Sequence, residues 1–354
     1  MAAVPTALTG LVNSAVGLWF LRMFIGIAGG TFVVCQYWST AMFAPSIVGK
    51  ANGFVGGWGN LGGGVTLLVM GSGLMPLFLK FMPVERAWRT VSLVPAALAL
   101  ITGVSVFFLS DDSPIPSKAH QRSTRRLIVD EGEQQKTDTI KDSIWFAARK
   151  PATWFLFIHY MMCFGVELTM LDWTAHSLAP PHYCGRIGWM NLFARGSGGW
   201  ASDISNSRFG LKGRIWTHAV FLVLEGLFVI VMAFVNTLPA ALSVMVLFSI
   251  AVQATEGTTF AIVPYVDPAV GTVAGIVSSG GNIGGMIFNT FFIFMKYDDV
   301  FLTLGICILA SVPLCLCMNI DPTSAIVAED EEAGDTSAIG DESPATDLSS
   351  PLIA

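Results

Sequence analysis

Charge is what this chain has least of. Asp, Glu, Lys and Arg make up 12% of its 354 residues, while 53% are hydrophobic; a water-soluble domain carries about 25% charge. That scarcity excludes an ordinary soluble domain and points to a chain that crosses a lipid bilayer many times. Chemistry-bearing motifs are missing as well. There is no Walker sequence, no H-E-x-x-H and no Ser/His/Asp arrangement, so no enzyme activity, cofactor or catalytic group is expected. Cys35, Cys163, Cys307, Cys315 and Cys317 sit inside apolar runs without metal-ligand spacing. They read as small packing residues, not as a disulfide frame or a metal site. The five histidines are scattered, and His176 and His182 flank Pro180-Pro181 without metal company. The first residues, "AAVPTALTGLVNSAVGLWF", lack the basic start of a cleavable signal peptide. They read as a spanning segment entered partway along.

What is present is long apolar stretches, plus glycine (36) and phenylalanine (25) in abundance. Segments able to approach or cross about 30 Å of hydrocarbon lie at 3–18, 21–43, 50–79, 87–110, 152–171, 184–201, 215–236, 238–265, 271–295 and 300–319. The first is short, and the sixth is interrupted by Arg186 and Arg195. Between residues 110 and 150 fall Lys118, Arg122, Arg125, Arg126, Lys136, Lys141, Arg149 and Lys150, eight of the 19 basic residues. Basic loops stay in the cytoplasm, so this loop is expected there. "RFGLKGR" (Arg208, Lys212, Arg214), two spans later, agrees, and alternation places the C-terminus on the same side. The end of the chain, "AEDEEAGDTSAIGDESPATDLSSP", is acidic and free of bases. Such composition cannot bury a core, so residues 321–354 are expected to form a disordered tail, either a phosphorylation target or an inert solvated one.

One sentence is written twice. "GWGNLGGGV" begins at Gly57 and "GGNIGGMIF" at Gly280, with Asn60 and Asn282 separated by 222 positions. Four apolar segments precede the basic loop and six follow it. The copies occupy the second span before the loop and the fifth after it, so both are fifth spans if each half has six. Internal half-repeats of this kind build many secondary transporters. Gly53-x-x-x-Gly57, Gly59-x-x-x-Gly63, Gly271-x-x-x-Gly275, Gly280-x-x-x-Gly284 and Gly281-x-x-x-Gly285 set small residues on helix faces, where they permit close helix approach. Asn60 and Asn282 are polar at matching depths and are expected to face a cavity.

Arg195, in "MNLFARGSGGWASD", is an arginine inside an apolar segment. Its planar fork suits a small planar oxyanion; the competing reading is a helix-end arginine snorkelling to the interface beside Gly198 and Gly199. Glu167, Glu225 and Glu256 are acids within apolar runs. Each is a candidate proton carrier and each equally a hydrogen-bonded structural acid, Glu225 leaning to the second role. Tyr160, Tyr37 and Trp38 are candidate cavity aromatics.

With these residues in place, the chain resembles the nitrate/nitrite porters of the major facilitator superfamily, in particular the eukaryotic, algal-like high-affinity nitrate transporters. "TFVVCQYWSTAMF" is similar to that family's fourth span, "GWGNLGGG" to its first signature in the fifth, and "AWRTVSLVP" to the start of the sixth. "FGVEL" falls in the seventh, "NLFARGSGGWASD" in the eighth, "ATEGTTFAIVPYVDP" in the tenth and "GGNIGG" in the eleventh. "GGWASDISNSRFGLKGR" resembles the cytoplasmic gate motif, with Gly199, Asp203, Arg208 and Arg214 as counterparts. The resemblance implies proton-coupled symport of nitrate, or nitrite, by alternating access. It implies a substrate site of Arg195, Tyr160, Asn60, Asn282, Gly59, Gly62, Gly63, Gly281, Gly284 and Gly285, with Glu167 or Glu256 coupling protons. It also implies departures: the first two spans are missing, with the second arginine of the family's anion clamp. Gly196 stands where the family has proline, and the stretch from His176 to Met190 is short.

The expected fold is thus an all-α polytopic membrane protein of the major facilitator superfamily, with about ten of twelve transmembrane helices. Residues 1–110 would supply spans three to six, 111–150 the central loop, 151–320 the C-terminal six-helix half and 321–354 the tail. Expected partners are nitrate or nitrite, protons and the lipid bilayer, with an accessory membrane protein left open and no nucleic acid; the expected location is the plasma membrane. The alternatives are a non-transporting membrane protein on the same scaffold and a carrier of another small anion.

Overall fold

The computed structural model describes residues 2–110, 140–177, 190–267 and 269–320. The basic residues Lys118 to Lys136, His176, His182, Arg186 and the acidic tail are expectations whose residues, or side chains, lie outside that description. Among the described residues there are helices and no strands. They run α1 (Ala3–Leu8), α2 (Ala15–Gly29), α3 (Thr31–Met42), α4 (Val48–Thr66), α5 (Met75–Leu79), α6 (Val84–Val91) and α7 (Leu93–Leu109). After the basic segment come α8 (Ile140–Arg149), α9 (Pro151–Ser177), α10 (Ala194–Phe209), α11 (Leu211–Met232), α12 (Leu238–Ile262), α13 (Val270–Phe294) and α14 (Tyr297–Ser311).

Eight of the resulting helical stretches are long and apolar enough to cross a membrane: Ala15–Met42, Val48–Leu79, Val84–Leu109, Pro151–Leu171, Leu211–Met232, Leu238–Tyr265, Val270–Phe294 and Tyr297–Cys317. Their outward faces are apolar; Phe107 and Leu109 are 80% and 83% exposed, which suits hydrocarbon and not water. This is a multi-pass membrane protein. The first apolar segment takes a shorter form than hydropathy suggests, and the sixth lies partly outside the described residues. α1 ends early because the Ser14 hydroxyl accepts from the Gly17 amide at 3.1 Å and starts a new helix. α10 is only 16 residues, from Ala194 to Phe209. The end of the central loop is ordered as α8, whose Arg149 lies over the Trp145 ring at 4.7 Å.

Helix boundaries follow local chemistry. Pro83, Pro151 and Pro239 stand just before or within first turns, where a missing N–H costs nothing. Gly210 joins α10 to α11 at a φ of 62°, a conformation other residues avoid. Beyond Thr66, α4 widens into a π-helix from Leu67 to Leu74 before returning to α-form in α5. Arg89 of α6 fastens the start of the chain by donating to the Gly10 carbonyl at 3.1 Å and to Asn13 Oδ1 at 2.8 Å.

The two halves meet along glycine. α4 packs on α10 and α12, and α3 on α13, while α9 lies along α13. A Cβ at Gly199 would strike the Gly49 carbonyl, and one at Gly198 the Ala254 carbonyl. These are backbone-to-backbone contacts that no rotamer change relieves. Gly199→Ala is therefore expected to destabilise the protein by about 1–3 kcal/mol. Gly103→Ala, where nothing lies within 4 Å, should leave it unchanged or raise stability by up to about 1 kcal/mol. Thermal unfolding of the purified protein in detergent checks both.

Candidate anion site between the helical halves

A cavity of about 330 Å³ opens between the halves. Gly29, Thr31, Phe32 and Cys35 line it from α2 and α3, Val55, Gly59 and Asn60 from α4, Tyr160 and Phe164 from α9, and Ser278 and Asn282 from α13. The two asparagines of the repeated sentence therefore face one space from opposite halves. Asn60 Nδ2 is buried with no protein acceptor, so an N–H donor is available there. Asn282 Nδ2 donates to the Ser278 carbonyl, one turn back, at 3.3 Å.

Arg195 lies behind this space. It is completely buried, which rules out the snorkelling alternative. One guanidinium nitrogen is ion-paired with Glu256, also completely buried. The other donates to the Tyr160 hydroxyl at 3.0 Å, so Tyr160 stands between the guanidinium and the cavity. The rings of Phe32 and Phe260 flank it at 5.3 and 5.9 Å, a favourable setting for a desolvated cation. Room for the charge comes from Gly56, where a Cβ would approach Arg195 Nε to 2.8 Å.

Glu167 is drawn into the same cluster. Its Oε1 accepts from Asn191 Nδ2 at 3.1 Å and from Gln253 Nε2 at 3.2 Å, while its Oε2, like Glu256 Oε1, is buried without a hydrogen-bond partner among the described residues. Glu225 is also completely buried, and neither of its carboxyl oxygens has a hydrogen-bond partner among the described residues. One guanidinium thus has Glu256 paired to it, with Glu167 and Glu225 buried in the same half.

The glycines divide by role. Gly59 lines the cavity, whereas Gly62 and Gly63 are exposed with nothing within 4 Å. In the first copy the close contacts belong to Gly53, Gly56 and Gly57, which receive α10 around Arg195 and Asn191. In the second, Gly281 lies against Tyr160 and Phe164, Gly284 against Met161 and Gly165, and Gly285 against Leu168. Gly281, Gly284 and Gly285 therefore seat α9 instead of touching the cavity directly. Tyr37 and Trp38 face outward, 49% and 38% exposed. Phe32 and Cys35 line the cavity in their stead; α3 is too weakly amphipathic for its period to mark them. Asn191 and Gln253, also unforeseen, carry no sequence mark beyond being amides in apolar surroundings.

At one end of the bundle the halves are latched. Asp203 accepts from Arg214 at 2.7 Å, from the Gly49 amide at 3.0 Å and from the Lys50 amide at 2.7 Å. Arg214 also reaches Ser202 at 3.3 Å and the Tyr265 hydroxyl at 3.3 Å. Gly199, Asp203 and Arg214 thus form one cluster, while Arg208 lies exposed outside it.

Two helical halves closing on a polar-lined central cavity, latched at one end, define the architecture of a secondary transporter. The sequence profile of the Major Facilitator Superfamily matches residues 1–289, and the chain belongs to that superfamily. It is 31% identical to High affinity nitrate transporter 2.7 of Arabidopsis thaliana, over 82% of this chain and 61% of that protein. It is 34% identical to Nitrate transporter 2.2 of Chlamydomonas reinhardtii, over 75% and 53%. With the Nitrate/nitrite transporter NrtP of Nostoc punctiforme it shares 26% identity over 95% and 80%. The resemblance to the nitrate/nitrite porters is thereby borne out, although the chain spans only about six-tenths of the Arabidopsis relative. Among solved structures, the E. coli fucose:proton symporter FucP superposes with a TM-score of 0.63 at 11% identity, covering 90% of this chain and 81% of that one. The proton:xylose symporter XylE gives 0.66 at 11%, covering 94% and 82%. These agree on the fold.

The cavity predicts thiol chemistry. Cys35 is exposed and lines it, whereas Cys163 is buried. A polar methanethiosulfonate reagent is expected to modify Cys35 and leave Cys163 intact, as read by mass spectrometry of the intact protein and its peptides. Reaction at Cys163 with Cys35 spared would contradict this placement.

Proposed function

We propose that this chain carries nitrate, or nitrite, across the plasma membrane together with protons, by alternating access, with its C-terminus in the cytoplasm. The observation that carries the reading is the buried Arg195 shared between Glu256 and the cavity-lining Tyr160. The nitrate and nitrate/nitrite transporters among its relatives support the choice of anion.

The geometry supplies a coupling mechanism. While Glu256 is ionised it occupies the guanidinium, and a second anion would add negative charge to an already acidic cluster. A proton on Glu256 releases the fork, which then has two parallel N–H donors for a planar oxyanion. Tyr160 marks the way from the cavity to Arg195. Asn60 and Asn282 provide amide groups on the two sides of the path, one from each half. Glu167, buried near Glu256 and held by two side-chain amides, is placed to take the proton on when the anion leaves. Anion and proton thus depend on the same guanidinium, and neither moves productively alone. Opening and closing of the Asp203–Arg214 latch would alternate access on its side.

Arg195→Lys should lower nitrate uptake by about tenfold or more, since one charge-assisted bond is worth about 1.5–3 kcal/mol and a point charge cannot replace the fork. Tracer uptake in a nitrate-transport-deficient host measures it, and unchanged kinetics would remove Arg195 from the site. Nitrate binding to the purified wild type should tighten as pH falls, because protonation of Glu256 frees the guanidinium. In Glu256→Gln that dependence should flatten. A dependence equal to the wild type's, in variant protein that elutes as a folded species, would assign coupling to another group.

A further inference from the structure

A second polar cluster lies in the C-terminal half, apart from the anion site. His159 of α9 and His218 of α11 are both completely buried and meet edge to edge. His159 Nε2 is 3.0 Å from the Ser311 carbonyl oxygen. A carbonyl only accepts, so Nε2 carries the hydrogen and Nδ1 offers a lone pair. That lone pair faces His218 Nε2 at 3.1 Å. On the far side of His218, Nδ1 is 2.8 Å from Thr258 Oγ1, and the Thr258 hydroxyl donates to the Thr255 carbonyl at 2.8 Å. In the tautomer where His218 donates through Nδ1 to that hydroxyl oxygen, its Nε2 is also a lone pair. Two lone pairs then converge on one point, where a cation would join them.

Cys315, in the 3₁₀ turn after α14, completes the group. One ligand atom each from His159, His218 and Cys315 lie within 4.8 Å of one another. Outer nitrogens anchored on a carbonyl and a hydroxyl are the usual support of metal-bound imidazoles. We propose that His159, His218 and Cys315 bind a soft monovalent cation of the Cu(I) class, cross-linking α9, α11 and the end of α14.

Charge selects the ion. Two imidazoles and a thiolate favour a soft metal. Binding releases the thiol proton, and a monovalent ion with one thiolate forms a neutral unit. A divalent ion would leave net positive charge in an apolar interior, at high cost. Glu225, about two turns beyond His218 on α11 and completely buried, belongs to the carboxyl group already described. Entry is available through a cavity of about 460 Å³ lined by Lys212, Trp216, Val312, Cys315 and Met318, whose lysine further disfavours a free divalent ion. Without metal the site closes on itself. The Thr258 hydroxyl turns towards His218 Nδ1, and the ring hydrogen moves to Nε2, where it bridges to His159.

The test uses the full chain purified in detergent and loaded with Cu(I) from its bicinchoninate complex under reducing conditions. One chelator-resistant Cu(I) per chain is expected, with an X-ray absorption first shell of two nitrogens and one sulfur. Cys315→Ser should weaken retention at least tenfold, whereas Cys35→Ser/Cys317→Ser, at the exposed thiols, should not. Absence of a chelator-resistant ion, a sulfur-only shell, or full retention in Cys315→Ser would each overturn the proposal. The absorption spectrum of the wild type needs no variant, so misfolding of a substituted chain cannot decide the outcome. Neither readout depends on nitrate transport.

Discussion

The structure is organised around one buried positive charge. A guanidinium removed from water is tolerable only if paired and hydrogen-bonded, and losing one partner of a buried pair costs about 3–5 kcal/mol. Arg195 meets that demand with Glu256, Tyr160 and two phenylalanine rings, drawn from α3, α9 and α12. α4 contributes absence, in the form of Gly56, where any side chain would strike the guanidinium. The N-terminal half therefore has to fit the C-terminal half closely at this point. In the proposed mechanism the same constraint makes the pair a switch, since the carboxylate satisfying the arginine is the group an incoming anion would displace.

The repeated glycine–asparagine sentence has a related logic in both places. The first copy admits α10, the helix bearing Arg195; the second admits α9, the helix bearing Tyr160. Each signature thus seats one member of the Arg195–Tyr160 hydrogen bond. Each asparagine, one face round from the packing glycines, is left on the cavity. Packing and recognition are separated by helical phase: one face gives up side chains to let a neighbour approach, and the adjacent face keeps an amide. Gly62 and Gly63 fall on neither face and meet open space.

Among the described residues of the C-terminal half, three polar clusters stand out: the Asp203–Arg214 latch, the buried carboxyls Glu167, Glu225 and Glu256 with Arg195, and the His159–His218–Cys315 triad. Asp203 binds backbone amides of α4, so the latch spans the halves, whereas the triad lies within one. The carboxyl group acts between them, inside the C-terminal half but paired with the charge on which the halves close. Polar burial at this density needs near-complete hydrogen bonding to be tolerated in apolar surroundings. The amides of Asn191 and Gln253 meet that need at Glu167 Oε1, whereas Glu167 Oε2 and Glu256 Oε1 have no partner among the described residues.

The sequence by itself determined the class of molecule. Scarce charge and long apolar runs demand a bilayer, and the duplicated sentence demands two related halves. It also marked Arg195, Tyr160, Glu167, Glu256 and the two asparagines, because polar groups in apolar runs are expensive and stand out. It did not determine which residues touch. Every transmembrane helix here is apolar nearly all round, so periodicity says little about which face turns inward. Phe32 and Cys35 were thus hidden behind the more conspicuous Tyr37 and Trp38. The glycines could be read as permitting close approach, but only the packed helices showed that Gly56 approaches Arg195 while Gly63 approaches nothing. His159 and His218 look unrelated along the chain; each lies about two turns into its helix, and the side-by-side packing of α9 and α11 with the end of α14 brings them to Cys315. Burial cost is written in residue type, whereas pairing depends on helix rotation and depth, which tertiary packing alone sets.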